Sequence, residues 1–347
     1  MKTAAIALAA LLLGALAPSQ TPVFFSDFDA AVPPEIQAGT AQLTGVQGYA
    51  GLGMTGDQFG GSFLRSETGN TVRLVLTGLP PHNAISLDFL FAAIDSLDGT
   101  GSFPAGDFFR VTLDGVPILR ESFANATPQQ IQSYVPPPGV QLARRVDLGF
   151  SGPGSYYTDS AYDLGSDPVF SLIPHQGSSA TFAFVIEGQG IQSLGDESWA
   201  MDRVAVHVQT LVLGSVSAYG TSCGPVLSAS SAPRIGHAAN FVLDAEPAAT
   251  VQSSLAIGVS NTNLGFFTLP WNLDFLGFTG CWLEQDLALS SGLPMTRVPL
   301  PARFSLLIPN DPTLVGAVFF AQGWSYAPGV NPGGIVFSGG LRVSIGQ

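Results

Sequence analysis

The sequence predicts an all-β protein made of two antiparallel sandwiches, a jelly roll followed by a smaller immunoglobulin-like domain. Many short segments alternate apolar and polar residues with a period of two, which is the pattern of half-buried strands. The chain of 347 residues contains 41 glycines and 26 prolines, which separate many of these segments and predict turns. Its apolar fraction of 46% is too high for intrinsic disorder and is sufficient for more than one core.

The N-terminus has the pattern of a secretory signal peptide. Met1-Lys2 forms a short positive region, and an apolar run follows from Ala4 to Ala17. This run is too short to span a bilayer, and the small residues around Pro18 favour cleavage before Gln20. A buried N-terminal helix is the alternative. We therefore expect residues 1–19 to be a signal peptide and the mature protein to be secreted or held at the cell surface, without membrane insertion.

Residues 20–209 are expected to form the jelly roll. Phe109, Val111 and Leu113 alternate with polar residues and lead into Asp114-Gly115, a dipeptide typical of a two-residue primed turn. This segment predicts a hairpin over residues 107–121. Further strands are predicted at 72–77, 85–91, 180–186 and 199–208.

Residues 210–347 are expected to form the second sandwich, because charge and cysteine content change near Thr210. The first domain carries 19 of the 25 acidic residues, whereas the second is nearly neutral and contains both cysteines, Cys223 and Cys281. An even cysteine count in an exported chain predicts one disulfide, worth about 4 kcal/mol on the chain-entropy model. Strands are predicted at 251–260, 302–308, 315–326 and 335–345, and Ser338-Gly339-Gly340 is interpreted as a tight hairpin.

Charge and lysine content exclude several classes of function. Lys2 is the sole lysine, so a P-loop or a Schiff-base enzyme is not expected in the mature chain. The formal net charge of -13 repels phosphate backbones, and nucleic acid is therefore not an expected partner.

Catalytic motifs are also missing from the sequence. The run 51–56 has the spacing G-x-G-x-x-G, but more glycines follow where a dinucleotide site needs a helix, so we interpret it as a loop. Neither H-E-x-x-H nor G-x-S-x-G occurs, and the four histidines lie far apart: His82, His175, His207 and His237. We predict no catalytic residues, although distant residues can still assemble a hydrolase site, which leaves a secreted hydrolase as an alternative.

Asp202 is the first candidate metal ligand. It lies in a predicted strand and, by alternation, shares a face with Val204 and Val206, which directs its carboxylate toward the core. A buried carboxylate needs a partner. Calcium is one candidate, with Asp27 and Asp29 supplying further oxygens where the first and last strands pair. Hydrogen bonds from backbone amides, or an arginine, are the alternative.

A second acidic patch consists of Asp95, Asp98 and Asp107 around two glycines. The patch is similar to a metal-binding loop but lacks the spacing of an EF-hand. We expect these carboxylates to be solvated.

A segment dense in tyrosine and aspartate is the candidate ligand site. Tyrosine rings can stack on sugars while carboxylates accept hydrogen bonds from hydroxyl groups, so the segment suggests glycan recognition. An ordered loop that packs on itself is the alternative. The residues are Tyr156, Tyr157, Asp159, Tyr162 and Asp163.

Both ends of the first domain resemble jelly-roll modules of exported bacterial proteins of the MAM, cleaved-adhesin and lectin-like type. Residues 24–28 match the motif F-x-x-D/E-F, and residues 199–206 match W-x-x-D-x-V-x-V. The resemblance implies an extracellular binding module with a structural calcium, and it offers Asp27, Asp29 and Asp202 as ligands.

The second domain resembles a disulfide-bonded β-sandwich found at the C-terminus of many exported bacterial proteins of unknown function. The similarity rests on the segments 219–223, 257–262, 280–281, 308–312 and 320–322. This resemblance implies export and the disulfide, and no chemistry.

Together these observations predict an extracellular, non-catalytic protein whose first domain binds a glycan or a surface protein. A structural or adhesion protein without a discrete small ligand is the alternative.

Overall fold

A computed structural model describes residues 20–101, 106–150, 158–298 and 300–347. These residues form strands, turns and a few short 3-10 turns, which confirms the all-β class. The chain divides into two compact units, Ser19–Thr210 and Leu211–Gln347. No helix in the described part of the chain is long and apolar enough to cross a membrane.

The described residues of the first unit form fifteen strands and three 3-10 turns. The strands are β1 (Thr21–Ser26), β2 (Ile36–Gln37), β3 (Gln42–Gly45), β4 (Gly53–Met54), β5 (Asp57–Gln58), β6 (Ser62–Glu67), β7 (Val72–Thr77), β8 (Ala84–Asp95), β9 (Phe108–Leu113), β10 (Val116–Ser122), β11 (Gln141–Val146), β12 (Asp159–Asp163), β13 (Ile173–Pro174), β14 (Ser179–Glu187) and β15 (Glu197–Gln209). The 3-10 turns are Gln47–Tyr49, Leu164–Ser166 and Pro168–Phe170.

Two antiparallel sheets give this unit the jelly-roll topology that the sequence predicts. The larger sheet has the order β11-β12-β8-β15-β6-β3, and the smaller has the order β10-β9-β14-β7-β2. The chain passes back and forth between the sheets, so β15 lies between β6 and β8 while β14 lies between β7 and β9. β1 also pairs with β15, as expected for the first and last strands.

The core between the two sheets consists of large aromatic and aliphatic side chains. Phe91, Phe109 and Trp199 are fully buried there, and the ring of Phe109 contacts the rings of both other residues. Each such side chain contributes about 1.5–3 kcal/mol on burial. A second apolar cluster, around Tyr49 and Phe63, covers the outer face of the larger sheet. The larger sheet is therefore apolar on both faces, which explains the nearly continuous burial of β8.

The hairpin at Asp114-Gly115 is confirmed. β9 and β10 pair on either side of these two residues, and both adopt positive φ angles, 51° and 81°. Such angles are those of the primed turn that this dipeptide favours.

The predicted orientation of Asp202 is wrong, because a bulge interrupts β15. The pairing of β15 with β8 shifts between Asp202 and Ala205, and Arg203 has a φ of 53°. Consequently both Met201 and Val204 belong to the core between the sheets. Asp202 is buried on the opposite face, against the loop that contains Gly60. One extra residue has reversed the alternation on which the prediction depended.

In the second unit, the part that the structure describes forms twelve strands and two 3-10 turns. The strands are β16 (Ser215–Tyr219), β17 (Val226–Ala229), β18 (Ala238–Asp244), β19 (Gln252–Gly258), β20 (Asn263–Leu264), β21 (Phe267–Thr268), β22 (Trp271–Asn272), β23 (Trp282–Leu283), β24 (Ser290–Pro294), β25 (Ala302–Leu307), β26 (Val318–Tyr326) and β27 (Ile335–Ser344). The 3-10 turns are Asp274–Leu276 and Pro312–Leu314.

These strands form the immunoglobulin-like sandwich that the sequence predicts. A five-stranded sheet has the order β16-β27-β26-β19-β24, and a three-stranded sheet has the order β17-β18-β25. The predicted disulfide is confirmed between Cys223 and Cys281, whose Cα atoms are 5.0 Å apart.

The predicted hairpin at Ser338-Gly339-Gly340 is wrong. All three residues lie inside the continuous strand β27. A Cβ atom on Gly340 would stand 2.3 Å from the ring of Tyr219 on the neighbouring β16. The glycine is therefore needed for close packing across the sheet, and not for a turn.

Candidate metal centre

Three buried carboxylates from separate segments of the first unit come together at one end of the sandwich. Asp98 follows β8, Asp107 immediately precedes β9, and Glu197 begins β15. One carboxylate oxygen of each lies within 4.8 Å of the others. Asp107 and Glu197 have no exposed surface, and Asp98 is 9% exposed.

Hydrogen bonds satisfy only part of this cluster. Asp107 Oδ2 accepts the backbone N–H of Asp98 at 2.6 Å, and Glu197 Oε1 accepts from the side-chain amide of Gln192 at 3.1 Å. Asp98 Oδ1 accepts from the side-chain amide of Gln130. Asp107 Oδ1 and Glu197 Oε2 are buried without any donor among the described residues. No arginine or histidine in the described part of the chain forms an ion pair with the three carboxylates, so their charge is not balanced.

The electrostatics of the cluster disfavour three negative charges in the absence of a cation. Burial, together with the negative charge of Asp107, raises the pKa of Glu197 to about 9. Burial also raises the pKa of Asp107 to about 6, against the opposing hydrogen bond from the Asp98 amide. The pKa of Asp98 is raised for the same reason. The cluster must therefore either retain protons or bind a positive ion.

A calcium ion fits this set of donors. All three groups are hard oxygen ligands, which calcium prefers, and calcium tolerates irregular geometry better than magnesium does. Calcium takes six to eight oxygens, so carbonyl groups or water would complete its shell around Asp98, Asp107 and Glu197. An ion bound here would link the segment after β8 to the first residues of β9 and β15.

The metal ligands expected from the resemblance do not form such a group. Asp202 accepts the backbone N–H groups of Gly60 at 3.2 Å and Arg203 at 2.7 Å. Asp29 Oδ1 accepts the N–H of Ser62 at 2.8 Å, while Asp27 Oδ1 accepts from the backbone of Asp29 itself. Asp202 therefore has the amide partners of the alternative interpretation. Burial still raises the pKa of Asp202 to about 7, although the amides oppose the shift.

Asp95, grouped with Asp98 and Asp107 in the sequence, belongs to a different environment. Its carboxylate lies 3.5 Å from Arg65 Nη2, and its backbone N–H donates to Asp159. Asp95 has a positive φ of 63°, which turns its side chain away from the orientation that strand alternation would give. Burial and the negative charge of Asp159 raise the pKa of Asp95 to about 7, and Arg65 limits the shift. The expectation of solvated acids is wrong for all three, because each is buried.

The tyrosine and aspartate segment is packed inward where the structure describes it. Asp159, Tyr162 and Asp163 are buried in or at the end of β12. Asp159 accepts two backbone N–H groups, the Tyr162 hydroxyl contacts Gln132, and Asp163 caps the following 3-10 turn. These three side chains offer no surface to a sugar. Tyr156 and Tyr157 lie outside the described residues.

Glu197 is the member of the cluster that the sequence analysis did not identify. The predicted strand began at Trp199, whereas β15 begins two residues earlier. Period-two alternation places Glu197 on the same face as Trp199 and Met201, both of which lie in the core. A longer strand would have predicted a buried glutamate.

Comparison of the sequence with protein-family models gives no match, and neither does comparison with curated proteins. The function of the protein must therefore be inferred from its own residues.

Proposed function

We propose that this is an exported, non-catalytic protein whose first unit binds a glycan or another surface ligand and holds a structural calcium ion. The observation that carries the proposal is the cluster of Asp98, Asp107 and Glu197, which is buried and contains two carboxylate oxygens without a hydrogen-bond donor among the described residues. The N-terminal signal pattern supports export, where free calcium is abundant enough to fill sites of moderate affinity.

Burial favours a structural role for the cluster over acid-base catalysis. A general acid or base must reach the substrate within hydrogen-bond distance. Asp107 and Glu197 have no exposed surface, so a substrate cannot reach them in this conformation. A bound ion would instead neutralise the carboxylates and fix the segments that carry them.

Those segments form connected loops at one end of the sandwich. The backbone N–H of Thr100 donates to the carbonyl of Ile131 at 2.8 Å, and Asp107 donates to the carbonyl of Gly99 at 3.0 Å. Asp98 also forms an isolated bridge with Ala124. An ion at the cluster therefore stabilises both the connection after β8 and the segment that follows β10.

Isothermal titration calorimetry of the full chain with calcium chloride tests the metal site. We expect one calcium per chain in the wild type and none in Glu197→Gln or Asp107→Asn. Asp202→Asn is the matched control, because it removes another buried carboxylate of the same unit and should leave binding unchanged. If Asp202→Asn lost calcium binding and Glu197→Gln retained it, the ion would be assigned to Asp27, Asp29 and Asp202, the site that the resemblance implies. No binding in the wild type would refute the calcium proposal.

A glycan array probed with the full chain, once in calcium and once in chelator, tests the binding role. Selective retention of a class of glycans supports a recognition module. A blank array would refute glycan binding and favour the structural or adhesion alternative.

A further inference from the structure

The outer face of the smaller sheet of the first unit collects positive charge. Arg73 on β7, Arg110 on β9 and Arg120 on β10 lie on three of its strands. They are three of the seven arginines in residues 20–209, a range that also contains 19 acidic residues. The five strands of this sheet are all described, and they contain no aspartate and only two glutamates, Glu121 and Glu187. The acidic residues of this unit therefore lie almost entirely outside the smaller sheet.

One carboxylate, that of Glu187, neutralises only part of the positive charge on this face. Arg120 Nε donates to Glu187 Oε1 at 2.9 Å, and Arg110 Nε forms an ion pair with Glu187 Oε2 at 2.9 Å, so two guanidinium groups share this carboxylate. Arg73 is exposed and has no ion pair or hydrogen bond with any described residue. Three arginines against Glu187 leave an excess of two positive charges on this face. Glu121 does not alter this balance, because it pairs with the core residue Phe109 and so lies on the opposite face of the sheet from Arg110 and Arg120.

Arg73 and Arg110 border a groove of about 250 Å³. Ala183 on the central strand β14 pairs with Arg73 on one side and with Thr112 on the other, and Val185 pairs with Arg110. Because neighbouring strands are about 4.8 Å apart, the backbones that carry the two arginines stand about 10 Å apart across β14. The small side chain of Ala183 leaves space between them, and Thr181 adds a hydroxyl group to the lining.

The end of the groove at the β9–β10 turn is fixed by hydrogen bonds within the protein. Gly115 of the β9–β10 turn lines it, and the adjacent Asp114 accepts the N–H of Thr181 at 2.8 Å. The other oxygen of Asp114 lies 3.1 Å from His175 Nε2. These contacts hold Asp114 at the end of the groove, where it forms no ion pair with Arg73.

We propose that the groove between Arg73 and Arg110 binds the carboxylate-bearing sugar of an acidic glycan. The planar fork of arginine matches a carboxylate with two parallel hydrogen bonds, and the threonine hydroxyls can exchange hydrogen bonds with sugar hydroxyls. Polyphosphates are disfavoured, since the strong negative charge of the remainder of the unit repels a dense polyanion. The inference rests on the proposed role as a binding module, but it does not depend on the calcium ion.

Titration of the full chain with tetragalacturonate at low salt, in chelator, tests the inference. Cellotetraose supplies a neutral comparison, and a sulfated cellotetraose separates a carboxylate preference from attraction to any anion. We expect tetragalacturonate to bind, cellotetraose not to bind, and Arg73→Gln to weaken binding about tenfold, as expected for the loss of one charge-assisted pair. Arg303→Gln removes an exposed arginine from β25 in the second unit and should leave the affinity unchanged.

Arg73→Gln should unfold at the wild-type temperature, because Arg73 has no internal partner among the described residues. A variant that folds normally and still binds tetragalacturonate with wild-type affinity would overturn the inference. Equal binding of cellotetraose, or tighter binding of the sulfated sugar, would also overturn it. In any of these cases calcium titration still tests the calcium site of the proposed function independently. Selective binding of a neutral glycan on the array would still support the proposed role in glycan binding.

Discussion

Replacing Arg65 by methionine should destabilise the first unit strongly at neutral pH. Arg65 Nη2 lies 3.5 Å from Asp95 Oδ2, whose side chain is 1% exposed. Arg65 also donates to the hydroxyl of Ser198 at 2.9 Å and to the carbonyl of Leu194 at 2.8 Å, with its guanidinium 4.6 Å from the ring centre of Phe150. Methionine retains the apolar packing but leaves the Asp95 carboxylate buried without its counter-charge.

Removal of one partner of a buried ion pair costs about 3–5 kcal/mol. That range is an upper bound here, because Asp95 can escape the unpaired charge by taking up a proton, which limits the electrostatic cost to about 1.4 kcal/mol at pH 8, one pH unit above its pKa of about 7. The lost hydrogen bonds of Arg65 add about 1–3 kcal/mol. At about 2–4 °C for each kcal/mol in a unit of this size, a decrease of about 5–18 °C is expected at pH 8. The pKa of Asp95 is raised to about 7 even with Arg65 present. A carboxyl group with a raised folded pKa stabilises the fold most at low pH, and that stability is lost as pH rises through 7. At pH 5 Asp95 is therefore protonated, and the penalty should shrink to the lost hydrogen bonds.

Differential scanning calorimetry at pH 5, 7 and 8 measures both the size and the pH dependence of this effect. Arg203→Met is the matched control, because the Arg203–Asp57 pair of the same unit is more exposed, at 27% and 49% of the two side chains. The double variant Arg65→Met, Asp95→Asn should recover part of the loss at pH 8. If Arg65→Met lowered the melting temperature equally at pH 5 and pH 8, or if the double variant showed no recovery, the proposed ion pair between Arg65 and the Asp95 carboxylate would be refuted.

Three further predictions concern the carboxylate cluster and the second unit. In chelator, wild-type stability should fall by about 2 kcal/mol from pH 7 to pH 8.5, because the folded pKa of Glu197 is about 9, so the folded protein keeps a proton there that the unfolded chain has already lost. Glu197→Gln should flatten this part of the melting-temperature profile. Reduction of Cys223–Cys281 should destabilise the second unit by about 4 kcal/mol in calorimetry with and without reductant, and leave the transition of the first unit in place. Gly340→Ala should cost about 1–3 kcal/mol in chemical denaturation, because its Cβ would meet the Tyr219 ring at 2.3 Å. Gly195→Ala is the control, because a Cβ there meets no atom within 4 Å and the backbone φ is not positive, so no packing penalty is expected.

Features set by neighbouring residues were predictable from the sequence. The Asp114-Gly115 turn needs two positive φ angles, and its dipeptide favours them regardless of what surrounds it. The disulfide was predictable because the chain has two cysteines and was expected to be exported to an oxidising compartment. Gly339 and Gly340 carried the same kind of local signal, yet their role depends on Tyr219, a residue more than a hundred positions earlier in the chain.

The candidate site was predicted only in part, for a related reason. Asp98 and Asp107 were identified as a patch, but their burial depends on contacts between distant loops. Glu197 joins them because β15 begins two residues before Trp199, where the apolar alternation predicted the strand to begin. The bulge after Asp202 has no clear sequence signal, since Arg203 adopts a conformation that a non-glycine residue reaches only when surrounding contacts impose it.

The central position of β15 has a consequence for how the first unit can be divided. This strand hydrogen-bonds to β8, to β6 and to β1, although it is the last strand of the unit along the chain. A fragment that ends before Glu197 would expose the backbone edges of all three partners and the core beneath Trp199. The unit therefore completes its larger sheet only when its final residues, up to Gln209, have joined the strands made first.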